Sequence, residues 1–232
     1  MVRKTRRPLT RERVLKAAIK LADRNGLGAL SMRRLGTELG VEAMSLYRYF
    51  DSKEALLNGM AEQLFTEISG AVAERPPALT ANWKSDLRSR CLTARSVVMH
   101  HAWTPALLAE RQSIPFAMYA YIDRIVALLV EAGFSYSITH RALHALGSLP
   151  FGFVQELFSP PSSGGKLDVD AAPNDFTRIA ALLPNLSAMV ASEIHQTLEP
   201  TIGWCDSQTE FEFTVDLLLD GLERIRDSDG VQ

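Results

Sequence analysis

The chain predicts an all-α protein, and three features of its sequence carry that prediction. Apolar residues recur at the helical period of about 3.6 along most of the chain, as at Val14, Leu15, Ala18, Ile19 and Ala22. No stretch alternates apolar and polar residues long enough to compete as a strand. Caps and breakers mark the boundaries: Thr10, Ser31 and Asp51 or Ser52 can open helices, and Asn25-Gly26, Gly40 and Gly133 can close them. The expected architecture is a three-helix head with a helix-turn-helix, joined by a fourth helix to a helical-bundle body.

The elements follow in order. Residues 1–9, MVRKTRRPL, form a basic arm. Thr10 caps a first helix that ends near Asn25-Gly26. Ser31 opens a second, in which Leu35 and Leu39 share the inner face and Gly36 lets a neighbouring backbone come close. Gly40 ends it where a left-handed residue is wanted. After a tight turn, a short helix is expected from about Glu42 to Tyr49. Such a pair is a helix-turn-helix, whose second helix is the kind that enters a major groove.

A longer helix runs from about Lys53 to Ala73, with Leu56, Leu57, Met60, Leu64 and Ile68 divided between head and body. ERPPAL, 74–79, interrupts it. Further helices fit 82–100, 105–111, 115–132 and 137–158, the last bent by Pro150. Residues 159–174, rich in Pro, Gly and Ser, read as a loop. Helices then fit about 175–183, onward past Pro184 to 199, and 207–226. The domain boundaries are therefore 1–9 for the arm, 10–54 for the head, 55–226 for the body and 227–232 for a tail.

Charge divides along the same line. Through Lys53 there are 13 Lys/Arg against 5 Asp/Glu, a net +8; the remainder has 12 against 22, a net −10. A basic head on an acidic body is the footprint of a nucleic-acid contact confined to one end. No apolar run approaches the roughly 18 residues of a membrane span, and the N-terminus lacks an apolar signal core. A cytoplasmic protein without a membrane partner is expected. Cys91 and Cys205 lie far apart without metal-ligand spacing and read as free thiols.

The LYRYF segment followed by a D-S-K-E-A-L-L helix start resembles the tetracycline-repressor (TetR) family of bacterial regulators. THRALHALGSLPFGF and FEFTVDLLLDGLE resemble the C-terminal domain of its Tet-repressor-like branch, so the similarity spans nearly the whole chain. The resemblance implies a homodimer that binds a palindromic operator and releases it when a small molecule enters the body. Matched by position, it places Ser31, Met32 and Arg33 at the DNA, with Ala43, Met44 and Ser45 nearest the base edges. Tyr47 and Lys53 become phosphate anchors, and Arg48 either a further phosphate contact or a solvated charge. Ala43 and Met44 offer only apolar contact, suited to a thymine methyl, and only Ser45 brings a polar group, so specificity falls more to Arg33 and DNA shape. The arm residues Arg3, Lys4, Arg6 and Arg7 either enter a minor groove or form a tail with general attraction for DNA.

In the body, His140 and His144 have zinc-ligand spacing, but Arg141 stands where a metalloprotease motif needs Glu, and no third ligand is evident. They read as structural or pocket histidines. Glu193 and His195 point to different helix faces. With no phosphate loop or nucleophile elbow, the chain reads as a non-enzyme that needs no metal or cofactor. His100 falls near the magnesium-ligating histidine of tetracycline-binding relatives, yet Ile68 and Arg90 replace their polar drug contacts. That departure leads to the expectation of a metal-free, largely apolar pocket at the centre of the body, lined by Leu64, His100, Trp103, Phe116, Tyr119, His144 and Phe151, for a small hydrophobic or aromatic ligand.

Dimerisation is assigned to the last helix, with Phe211, Val215, Leu218, Leu219 and Leu222 around Gly221, and to Ala142, Ala145, Gly147 and Gly152. An apolar stripe of this kind also serves as intrachain core; the resemblance points to the interface. Two other functions fit the chain: a DNA-binding regulator without a small-molecule ligand, and a helical enzyme or carrier with a DNA-binding appendage.

Overall fold

A computed structural model describes residues 8–74, 82–111, 113–152, 182–185, 187–188 and 207–229. Among them are eight α-helices and no strand. The loop expected at 159–174, Glu193, His195, Cys205 and residues 1–7 of the arm lie outside the described residues, as does most of 175–199.

The head is built from locally encoded boundaries. Helix α1, Arg11–Asn25, begins where the Thr10 hydroxyl accepts from the Arg13 amide at 3.2 Å and ends at Gly26 with φ 75°. A 3-10 turn, Leu27–Ala29, leads to α2, Met32–Leu39. The Ser31 hydroxyl caps α2 by accepting from the Arg34 amide at 3.2 Å, and Gly40 closes it at φ 67°, ψ 35°. This αL stop satisfies carbonyls that the last helical turn leaves open.

The segment after Gly40 departs from the expected helix over Glu42–Tyr49. It forms a 3-10 turn at Ala43–Ser45, and its amides bond three residues back, Leu46 to Ala43 and Tyr49 to Leu46. No side chain caps its start. A segment this short gains few i→i−4 bonds to offset nucleation, so the tighter coil forms instead. Leu46 and Phe50 anchor it, at 0% and 2% exposure.

Helix α3, Lys53–Ala73, is capped by Ser52, whose hydroxyl accepts from the Ala55 amide at 2.9 Å. Its two faces serve two cores. Leu56, Leu57, Met60 and Ala61 close the head core with Val14, Ala18, Leu35, Leu46 and Phe50. Leu64, Phe65 and Ile68 join Ala94 and Val97 in a body core, with Tyr121 and Phe151 against it. The head core does not stop at residue 54, because Trp103 and Leu107 also belong to it.

The body continues with α4, Trp83–His100, opened by a capping box between Asn82 and Ser85. Then come α5, Thr104–Glu110, α6, Phe116–Glu131, α7, Tyr136–Gly152, and α8, Ser207–Asp229. Helix α3 packs against α4 and α6, and both of these pack against α7. Lys84 of α4 bridges Asp220 at 2.6 Å and Glu223 at 2.7 Å, and Arg226 lies over the Trp83 and Phe134 rings. Burial pushes the Cys91 thiol up to about 12 and also raises the Tyr121 hydroxyl.

The chain forms two compact units, 1–152 with 218–232, and 153–217. In the second, the described part of α8 buries Phe211 and Val215. No helix among the described residues is long and apolar enough to cross a membrane.

Candidate nucleic-acid interface

The turn between α2 and the 3-10 coil is held by backbone proximity. A Cβ added to Gly36 would stand 2.9 Å from the Val41 carbonyl oxygen and 3.1 Å from the Ala43 amide nitrogen. Only glycine leaves room for that approach. The Val41 amide donates back to the Gly36 carbonyl at 2.9 Å. The outer surface of the coil is therefore set rigidly against α2.

On that surface Met44 is 73% exposed and Tyr47 41%. Arg33, Arg48 and Lys53 are exposed, and Ala43 and Ser45 are half-buried. Lys53 opens α3, where free amides and the helix dipole favour an anion. Ser31 is exposed, but its hydroxyl already caps α2. The Met32 side chain is 7% exposed and sits in the head core, because α2 turns its first apolar residue inward, which leaves only its backbone at the helix start for DNA. Arg34, passed over in the sequence, is exposed beside Arg33.

Tyr49 has a structural role, its hydroxyl donating to the Leu9 carbonyl at 2.7 Å. The Arg11 guanidinium lies 4.5 Å from the Phe50 ring centroid. Together they fasten the start of the chain to the coil.

The head is tied to the body by Asp23, His101 and Glu67, which the sequence did not single out, together with Trp103, which it assigned to the pocket. Asp23 Oδ1, on the last turn of α1, accepts from His101 Nδ1 at 2.7 Å and from Trp103 Nε1 at 2.6 Å. His101 Nε2 faces Glu67 Oε2 of α3 at 3.3 Å. Both His101 and Trp103 are 5% exposed. Three separate segments, α1, α3 and residues 101–103, thus meet at His101, and only the HHAW cluster at 100–103 hints at it in the sequence.

Among the described residues, the seven expected pocket residues stand in different surroundings. Leu64 is buried in the body core and Phe151 packs against it, its ring centroid 6.3 Å from that of Phe65. Trp103 packs in the head core instead, drawn there by Asp23. Phe116 and Tyr119 are 78% and 55% exposed, and His144 is exposed on α7. His100 is exposed and borders an open cleft of about 550 Å³ with Glu67, Ser96, Val97 and Met99.

The α8 stripe also needs correction. Phe211, Val215 and Leu222 are at most 8% exposed within this chain, because that face is intrachain core. Phe213, at 64%, and Leu217, at 55%, point outward, while Leu218 and Gly221 are half-buried. On α7, Ala142 is buried, and Ala145 and Gly147 are exposed.

Known proteins share this arrangement. Residues 14–60 match the family described as bacterial regulatory proteins, tetR family, and residues 76–226 match the tetracyclin repressor-like C-terminal domain. The tetracycline repressor protein class C of Escherichia coli is 28% identical over 220 residues, covering 94% of this chain and 92% of that protein. The crystal structure of a possible TetR family transcriptional regulator from Streptomyces coelicolor A3(2) superposes with a TM-score of 0.72 at 28% identity, covering 93% of this chain and 100% of that one. The Streptomyces coelicolor protein ActR in complex with actinorhodin shares the fold, with a TM-score of 0.67 at 22% identity over 94% of this chain and 99% of that one. The chain belongs to the TetR family and is a DNA-binding transcriptional regulator with a tetracyclin repressor-like C-terminal domain.

Proposed function

We propose that the protein is a repressor that binds a palindromic operator as a homodimer and leaves it when a small hydrophobic or aromatic molecule enters the body. The observation that carries this reading is the polar junction at Asp23, because it couples the end of α4 to the last turn of α1. A ligand that displaces the end of α4 pulls on α1 and so turns the head. Release follows only if the ligand binds the displaced arrangement more tightly than the operator-bound one. The tetracycline repressor's name and the actinorhodin complex of ActR support a multi-ring ligand class.

On DNA, Met44 and Ala43 give apolar contact in the major groove, with Arg33 and Ser45 supplying hydrogen bonds. Tyr47, Arg48 and Lys53 hold phosphates. The small residues Ala145 and Gly147 of α7, with the half-buried Leu218 and Gly221 of α8, form the dimer contact. Two-fold symmetry then sets the recognition segments about 34–36 Å apart. The protein works in the cytoplasm and has no catalytic role.

Fluorescence anisotropy with the DNA upstream of its own gene tests the reading. Saturable, salt-sensitive binding that aromatic polycyclic compounds reverse is expected. A light-scattering mass of one chain at micromolar concentration, or failure to select any DNA from a random pool, sinks it.

A further inference from the structure

Helix α7 carries two imidazoles that converge. His140 Nε2 and His144 Nε2 lie 3.2 Å apart, with the rings at 86° to each other and their centroids 4.7 Å apart. Both side chains are exposed, so neither nitrogen is committed to a core contact.

We propose that His140 and His144 form a two-point binding site for a borderline divalent cation of the zinc, nickel or copper type. The spacing itself fits such an ion. Two imidazole nitrogens at about 2.0–2.1 Å from one Zn²⁺ stand about 2.9 Å apart at a right angle and about 3.3 Å apart at the tetrahedral angle. The observed separation falls between these limits. Imidazole nitrogen suits zinc, copper and nickel, whereas magnesium and calcium take oxygen donors, so the ion is of the former class.

Among the described residues no group of three or more His, Cys, Asp or Glu could hold a metal, so the site is a two-imidazole one. With two protein ligands, the affinity falls below that of a four-ligand structural site. The ion would also brace the helix. Pro150 interrupts α7 by removing the amide that would bond to Leu146, and the Ser148 hydroxyl already donates to the His144 and Ala145 carbonyls. A cation bridging His140 to His144 locks the turn just before that interruption. This inference uses α7 alone and does not depend on the DNA or ligand reading.

The test is calorimetric titration of the EDTA-stripped, full-length protein with Zn²⁺ in a non-chelating buffer, paired with thermal unfolding. One ion per chain is expected, with a Tm that rises with Zn²⁺. Changes outside the coordination shell alone cost roughly 10–100-fold in metal affinity, so His140→Ala or His144→Ala should each weaken binding at least about tenfold. The double change His144→Ala with Ser148→His keeps the chain's five histidines but sets the two rings two turns apart, and it should bind no better than His144→Ala. Equal Zn²⁺ affinity in all four proteins, or no binding by the unaltered protein, overturns the proposal. The second result would leave the 3.2 Å contact as a hydrogen bond between two imidazoles.

Discussion

Asp23 and His101, 78 residues apart, are joined by a 2.7 Å contact between a carboxylate oxygen and the imidazole Nδ1. The same oxygen accepts from the Trp103 indole, so one acceptor serves two donors on side chains that are each 5% exposed. Leaving a buried donor without a partner costs about 1–3 kcal/mol. Asp23→Ala strands both and should lower unfolding stability by about 2–4 kcal/mol, given partial relaxation. Asp23→Asn keeps an acceptor oxygen and should cost less. Urea unfolding of the two variants checks this order, and equal losses would mean that the donors find water instead.

Arg33 carries the hydrogen-bonding part of the proposed readout, since Met44 and Ala43 present only apolar atoms. A good bidentate arginine contact discriminates against the wrong base by about 1–3 kcal/mol. Arg33→Ala should therefore flatten base preference at one position of each half-site more than Ser45→Ala does. Lys53→Ala should weaken all operators alike and lower the salt slope by about 1. Binding measured across single-base operator variants at two salt concentrations separates these outcomes.

Gly36 and Gly70 should respond to alanine with opposite signs. At Gly36 the new Cβ meets the Val41 carbonyl at 2.9 Å, and a backbone neighbour cannot rotate away. Overpacking of this kind costs about 1–3 kcal/mol, and the displaced coil should also lose operator affinity. At Gly70, in α3, nothing lies within 4 Å. Alanine there should gain about 0.5–1 kcal/mol from helix propensity alone. Thermal unfolding and anisotropy on the same two proteins give both readouts.

The Lys84 cluster predicts a pH window. Hydrogen bonds donated to Asp220 and Glu223 raise the Lys84 ammonium above its ordinary value, and Lys84 lowers the Asp220 carboxyl. The raised lysine stabilises the fold below its unfolded value of about 10.4, and that contribution is lost as pH rises through the folded one. The lowered aspartate stabilises above about 3.9, and its contribution is lost as pH falls through the folded value. The Tm difference between the native protein and Lys84→Met should thus be flat across neutral pH and shrink toward both extremes. A difference that persists in strong acid and strong alkali would assign it to packing of the lysine stem.

What the sequence alone determined was mostly local. Thr10, Ser31 and Ser52 cap the helices that they were read to open, and Gly26 and Gly40 close theirs, because a cap is decided by atoms within a few residues. Gly36 was legible for the same reason, and the basic and exposed character of Arg33, Arg48 and Lys53 follows from their side chains. Tertiary structure decided the rest. The period of α8 marks an apolar stripe but not its partner, and packing put Phe211 and Val215 into this chain's own core while leaving Phe213 and Leu217 outside. Met32 went inward because the head core takes up the first apolar residue of α2. Trp103 left the expected pocket for the head because Asp23, 80 residues earlier, offers a buried donor its acceptor. Spacing alone marked His140 and His144 as neighbours, but only the folded helix shows that their nitrogens converge. Periodicity specifies which face of a helix is buried; what it is buried against depends on contacts distant in sequence, which no local pattern encodes.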